Sequence, residues 1–117
     1  MRADSGHHRF VEFVYLRFFE RTTTGILSDL DIRALENELL ENPEAGDVVA
    51  GTGGVRKARV ARPGGGKSGG VRVVYLYVKV KQRIYMILAF PKNVQANLTP
   101  DQKSAIRKLV AELKNEG

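Results

Sequence analysis

The sequence predicts an α+β fold in which a strand and one or two helices precede a run of three strands and a final helix. Strand-like alternation over residues 55–90, next to two segments with helix-capping residues and one apolar stripe each, supports this prediction. The chain has 117 residues, of which 43% are hydrophobic, enough for one core. We therefore expect a single domain over residues 1–117, poorly ordered at residues 1–9, with helices packed on one face of a mainly antiparallel sheet.

The first half of the chain favours one strand followed by helices. Residues 10–14 mix aromatic and β-branched side chains and predict a strand, and residues 15–24 favour a short helix. Ser28 is a typical N-cap, followed by aspartates in the first turn and by an apolar stripe that includes Leu35 and Leu39. These features predict an amphipathic helix that ends at about Asn42.

The second half favours strands and then a helix. The sequence GTGG at 51–54 is typical of a turn, and strands are predicted over 55–62, 71–81 and 83–90. The last two strands are close enough along the chain to form an antiparallel hairpin. Thr99, Pro100 and Gln102 then combine an N-cap, a proline at the first helical position and a capping-box residue.

Positive charge is concentrated in the predicted strands. The chain has a formal net charge of +6, which favours an anionic partner such as nucleic acid. Residues 55–92 contain ten cationic and no acidic side chains: Arg56, Lys57, Arg59, Arg62, Lys67, Arg72, Lys79, Lys81, Arg83 and Lys92. A solvated strand face rarely needs so many charges of one sign.

Strand alternation places Lys57 and Arg59 on one face of their strand. Arg72 shares its parity with Val74 and Leu76, which are expected to be buried, so alternation alone does not place it beside the other two. Either a bulge at residues 69–70 turns Arg72 towards them, or the strand is central and covered on both faces. Both alternatives are compatible with the sequence.

Several other functions are disfavoured. The chain has no cysteine, which excludes disulfides and thiolate chemistry, and its paired histidines lie near the N-terminus, away from any acidic cluster. The segment PGGGKSGG at 63–70 precedes a strand instead of a helix, which argues against a nucleotide-binding P-loop. It is either a flexible connection or a loop whose lysine closes on a phosphate.

The first ten residues lack the apolar core of a signal peptide, so we expect a cytoplasmic protein.

The remaining candidate is a phosphate-binding site made of cations, glycine backbone and tyrosines. Such a site can orient RNA and stabilise the charge that develops as a 2′-hydroxyl attacks the adjacent phosphorus. The sequence offers no obvious general base for that step. It also offers no cluster of metal ligands, so a metal-dependent nuclease is disfavoured.

Two segments, GDVVAGTGGVRKARVARPGGGKSGGVRVVYLYV and IYMILAFPKNVQANLTPDQ, resemble the HigB branch of the RelE/ParE toxins of bacterial type II toxin–antitoxin systems. The resemblance covers roughly residues 28–115. It implies a small RelE-like fold with a curved, mainly antiparallel sheet. It also implies an mRNA interferase that cuts messages on the translating ribosome without a metal or other cofactor.

The resemblance also implies which residues act. By resemblance, catalytic roles fall on Lys57 and Arg59 in the basic strand predicted over 55–62. They also fall on Arg72, which opens the next strand, and on Lys92, which follows the last strand. We further expect RNA to contact Arg56, Arg62, Lys67 and Tyr75. Tyr75 or Tyr77 is a candidate for stacking on a base, although either is equally compatible with the core.

The sequence departs from the family pattern at two places. It has Phe90-Pro91-Lys92 where relatives often have Tyr-Gly-Lys, and no tyrosine lies near Leu98, where some relatives carry a catalytic one. The expected partners are a HigA-like antitoxin, the ribosome with its mRNA, and promoter DNA through the antitoxin, but no membrane. Two alternatives are a ParE-like toxin that poisons gyrase and a catalytically silent nucleic-acid-binding module.

Overall fold

The computed structural model describes residues 10–61 and 70–116. In this part of the chain, five strands form one sheet in the order β1-β5-β4-β3-β2. The elements along the chain are β1 (Glu12–Tyr15), α1 (Arg17–Thr23), α2 (Asp29–Glu41), β2 (Asp47–Val48), β3 (Arg56–Val60), β4 (Val71–Val78), β5 (Arg83–Pro91) and α3 (Pro100–Asn115). The predicted order of elements is confirmed, with β2 as an addition.

The sheet is mainly antiparallel, as predicted. β2, β3, β4 and β5 pair antiparallel in succession, whereas β1 pairs parallel to β5. β4 ends at Val78, earlier than predicted, because a 3₁₀ turn at Lys79–Lys81 and a left-handed Gln82 with φ of 51° reverse the chain into β5. The predicted hairpin is therefore present, with a longer connection than the sequence indicated.

Two capping boxes fix the starts of the long helices. The Asp31 N–H donates to the Ser28 hydroxyl over 3.1 Å, and the Ser28 N–H donates to the Asp31 carboxylate over 3.0 Å. At α3, the Gln102 N–H donates to the Thr99 hydroxyl over 3.1 Å, and the Thr99 N–H donates to the Gln102 amide oxygen over 2.9 Å. Each cap satisfies backbone donors that a helix leaves open. Both predicted N-caps are confirmed.

The helices pack on both faces of the sheet, so the prediction that they share one face is wrong. Phe19 of α1 and Leu35 and Leu39 of α2 belong to one core cluster. Ile106 and Val110 of α3 belong to another cluster, on the other face. Both faces are covered because β4 and β5 are central strands with apolar side chains on both sides, a pattern typical of strands buried on two faces.

None of the helices in the described part of the chain is long and apolar enough to cross a membrane. Apolar side chains are buried on both faces of β4 and β5. One end of the sheet, where β3 finishes and β4 begins, contains several of the predicted site residues.

Candidate functional site

The register between β3 and β4 brings three of the predicted catalytic cations to one face. Arg59 pairs with Arg72, and Lys57 pairs with Val74. Paired residues share a face of the sheet, and Val74 packs in the core cluster under α3. Lys57, Arg59 and Arg72 therefore lie on the α3 face. The pairing of β3 with β4 runs without interruption from Arg56 to Val60. β4 lies between β3 and β5 and is buried on both faces, as in the alternative of a central strand, whereas Gly69 lies outside the described residues.

Lys92 lies at the same end of the sheet. Phe90 pairs with Arg72, and two residues later the Lys92 N–H donates to the Gly70 carbonyl over 3.0 Å. Gly70 has a φ of 78°, and a Cβ atom there would lie 2.4 Å from the Val60 carbonyl oxygen. Glycine is thus needed for β3 and β4 to meet at this end. We call Lys57, Arg59, Arg72 and Lys92 the basic cluster.

Two polar neighbours of Lys57 come from outside its own strand. Asp47 of β2 pairs directly with Lys57, which places a carboxylate on the same face. The Lys57 ammonium also donates to the side-chain oxygen of Asn97 over 3.4 Å. Counting charges along the chain missed both neighbours. Asp47 precedes residues 55–92, the part of the chain with no acidic side chain. Asn97 follows them in a loop that has no periodic pattern.

A hydrogen-bond network holds the loop that carries Asn97. The Gln95 side-chain amide donates to the Asn97 carbonyl over 2.9 Å and to the Gln102 amide oxygen over 2.6 Å. Gln102 is also the capping-box residue of α3. The loop after β5 is therefore anchored to the first turn of the helix that covers the same sheet face.

Arg56 and Tyr75, both predicted to bind RNA, lie on the opposite face and pair with each other. The Tyr75 hydroxyl donates to the Pro43 carbonyl over 2.8 Å and accepts from the Gly46 N–H over 3.0 Å. Arg56 donates to the carbonyls of Glu44 and Gly46 over 3.1 and 2.8 Å. Together they hold the segment before β2.

The prediction that Tyr75 stacks on a base is wrong, because the Tyr75 side chain is fully buried at 0% exposure. Its ring belongs to the core cluster of α1 and α2, and base stacking needs an accessible ring face. Burial raises the pKa of the Tyr75 hydroxyl, while the hydrogen bond from Gly46 lowers it by less. The alternative, in which this tyrosine is a core residue, is confirmed.

Two further cations of residues 55–92, Lys81 and Arg83, lie away from the basic cluster. Arg62 and Lys67 lie outside the described residues. Lys81 and Arg83 lie at the far end of the β4–β5 hairpin, where Lys81 donates to carbonyls at the end of α3 and Arg83 contacts the Glu12 carboxylate over 3.0 Å. These two stabilise the fold instead of forming an anion site.

The basic cluster is suited to binding phosphate. Two guanidinium groups offer paired donors to anionic oxygens, and the lysines add compact positive charges. Fixed cations of this kind stabilise negative charge as it develops on a phosphorus centre. Among the described residues, no group of three or more His, Cys, Asp or Glu side chains is placed to hold a metal ion.

The comparisons with known proteins concern the family and the fold. Residues 17–116 match the family model described as the RelE toxin of the RelE/RelB toxin–antitoxin system. The fold is similar to a free-state structure of the E. coli toxin RelE that carries two arginine-to-alanine substitutions. The TM-score is 0.50 at 17% sequence identity, and the similarity covers 74% of this chain and 87% of that one.

The family match covers most of the chain, including both central strands, the basic cluster and α3. The structural likeness independently supports the same α+β fold, with its five-stranded sheet and three helices in the described residues. The chain therefore belongs to the RelE family, the ribosome-dependent mRNA-cleaving toxins of type II toxin–antitoxin systems.

Proposed function

We propose that this chain is a single-domain HigB-branch toxin that cleaves mRNA on the ribosome without a metal ion. The observation that supports this proposal most is the register that sets Arg59 against Arg72. Lys57 lies one pleat away on the same face, and Lys92 follows β5 at the same end of the sheet.

In this proposal the basic cluster binds the oxygens of the scissile phosphate and of its neighbours. The 2′-oxygen of the preceding ribose loses its proton and bonds to phosphorus, the bond from phosphorus to the 5′-oxygen breaks, and the 5′-oxygen gains a proton. Negative charge on the phosphoryl oxygens rises during attack, so cations fixed beforehand stabilise the transition state more than the bound substrate. Losing one such donor typically costs about 10²–10³ in rate.

The proposed partners follow from charge and from the family. A RelE-family toxin implies a cognate antitoxin and the ribosome. We propose a HigA-like antitoxin with carboxylates that face the basic cluster, a cytoplasmic location, and promoter DNA bound only through the antitoxin. A site of converging cations repels itself, so an acidic partner relieves that repulsion as it binds.

The test is to induce the chain without its antitoxin and to map mRNA 5′ ends, with and without translation. We expect new 5′ ends within translated regions that disappear when initiation is blocked, and none with the Arg72→Ala protein. Inhibition of gyrase without mRNA cleavage would instead indicate a ParE-like toxin. Binding to RNA with neither effect would indicate a silent module.

A purified translation system then tests the metal requirement. Magnesium is kept at a fixed concentration to preserve the ribosome, and transition metals are removed by chelation before the toxin is added. We expect the same cleavage rate before and after this treatment. A requirement for added zinc or manganese would contradict the metal-independent mechanism.

A further inference from the structure

We propose that Asn97 is a positioning residue that holds the Lys57 ammonium within the basic cluster. This inference rests on the proposed function, because it names a further residue for the same cleavage reaction. Its basis is the contact between Lys57 and Asn97 together with the network that fixes Asn97 in its loop.

The backbone of Lys57 is fixed, but its side chain needs a partner to be fixed as well. Lys57 pairs with Asp47 on one side and with Val74 on the other, so β3 cannot shift there. A free lysine side chain loses rotamer entropy when it becomes ordered. The hydrogen bond from its ammonium to Asn97, 3.4 Å long, restricts the side chain before RNA binds.

Asn97 is itself held from both sides. Its carbonyl accepts from Gln95, whose amide also contacts the helix-capping Gln102. The next residue, Leu98, is only 5% exposed and packs in the core cluster under α3. The contact to Lys57 therefore connects the basic strand to the N-terminal turn of α3, across 40 residues of sequence.

An amide suits this position better than a carboxylate does. The Asn97 oxygen accepts from the ammonium without adding negative charge, so Lys57 keeps its full attraction for phosphate. Asp47 already places one carboxylate opposite Lys57. A second carboxylate at residue 97 would compete with RNA for the same cation.

The experiment measures single-turnover cleavage of mRNA on purified ribosome complexes at saturating toxin. We expect Asn97→Ala to slow cleavage about tenfold, the scale of one hydrogen bond to a charged group, with unchanged affinity for the ribosome. In a Lys57→Ala protein, the same substitution should have no further effect, because Asn97 acts through Lys57. Asn97→Asp should slow cleavage more than Asn97→Ala does.

Asn93→Ala is the matched control, because Asn93 is an exposed asparagine in the same loop. It should cleave at the wild-type rate. An equal loss for both alanine variants, or a full additional loss in the Lys57→Ala background, would overturn the positioning role.

A second measurement is independent of activity. In spectra of the lysine ammonium groups, we expect the Lys57 signal to show restricted motion in the wild type and to lose that restriction in Asn97→Ala only. An unchanged Lys57 signal would overturn the inference even where cleavage is slowed. Absence of cleavage by the wild type would instead overturn the proposed function, and the spectra would still decide whether Asn97 holds Lys57.

Discussion

Arg59 and Arg72 face each other in register across β3 and β4, on the sheet face that α3 covers. Like charges directly opposite on a sheet are unfavourable, at roughly 0.2–1 kcal/mol for a pair. Lys57 and Lys92 add to the same positive potential at this end. Positive charge concentrated at one end of the sheet suits a site that binds an anionic ligand.

Arg59→Gln tests separately how this pairing affects cleavage and how it affects the free energy of unfolding. We expect cleavage to fall about 10²-fold or more, because a donor to the phosphate is lost. The free energy of unfolding should stay equal or rise slightly at low salt, because repulsion from Arg72 is removed, and the difference should shrink as salt screens the charges. Urea denaturation at two salt concentrations and a cleavage assay measure both effects.

Arg33→Gln is the control for this substitution, because Arg33 is an exposed cation of α2, on the other side of the sheet. It should cleave normally. A wild-type cleavage rate for Arg59→Gln would remove Arg59 from the proposed site.

Tyr75→Phe tests whether this tyrosine is structural. Its hydroxyl contacts the Pro43 carbonyl and the Gly46 N–H, and its removal leaves both buried groups without that partner. We expect a loss of about 1–3 kcal/mol in the free energy of unfolding. Cleavage measured well below the melting temperature should be unchanged, because the ring is on the face away from the basic cluster.

Tyr77→Phe offers a matched comparison on the same strand. The Tyr77 hydroxyl is buried and has no hydrogen-bond partner among the described residues. Its removal should leave stability equal or slightly higher, since an unpaired buried hydroxyl is unfavourable. If the two phenylalanine variants were equally stable, the contacts to Pro43 and Gly46 would have no net effect.

The raised pKa of Tyr75 predicts a loss of stability at alkaline pH. Burial disfavours the phenolate, so the folded protein keeps this proton at a pH where the unfolded chain, with a tyrosine pKa of about 10, releases it. Its contribution to stability is therefore complete below about pH 10 and is lost as pH rises through the folded pKa. Between pH 8 and a pH above 10, the free energy of unfolding should fall more for the wild type than for Tyr75→Phe. Parallel curves would contradict this assignment.

Helix ends and the basic strand were predictable because their signals are local. Ser28 and Thr99 are followed three residues later by Asp31 and Gln102, and both capping boxes are present. The alternation around Lys57 likewise placed its face correctly relative to Arg59. These features depend on neighbours within a few residues, so a single sequence is enough to identify them.

Features that depend on register were not predictable in the same way. Arg72 alternates in step with buried residues of its strand. Only its pairing with Arg59 shows that it lies at the end of the sheet, beyond the covered part of that face. Asp47 and Asn97 reach Lys57 from distant parts of the chain. Tyr75 illustrates the same limit, because its aromatic ring is as typical of a core as of an RNA-binding surface.

The antitoxin's binding mode can be tested through salt, since the proposed basic cluster should attract an acidic partner. If the antitoxin covers the cluster directly, its association rate should fall steeply with ionic strength, because exposed charges are screened beyond about 8 Å at physiological salt. Arg72→Ala should then weaken binding and flatten the salt dependence, whereas Arg33→Ala on the opposite side should do neither. Stopped-flow association at several salt concentrations measures both. An association rate that barely changes with salt, together with full affinity for Arg72→Ala, would show that the antitoxin acts without covering the basic cluster. It would then have to inhibit by blocking access to the ribosome from another surface.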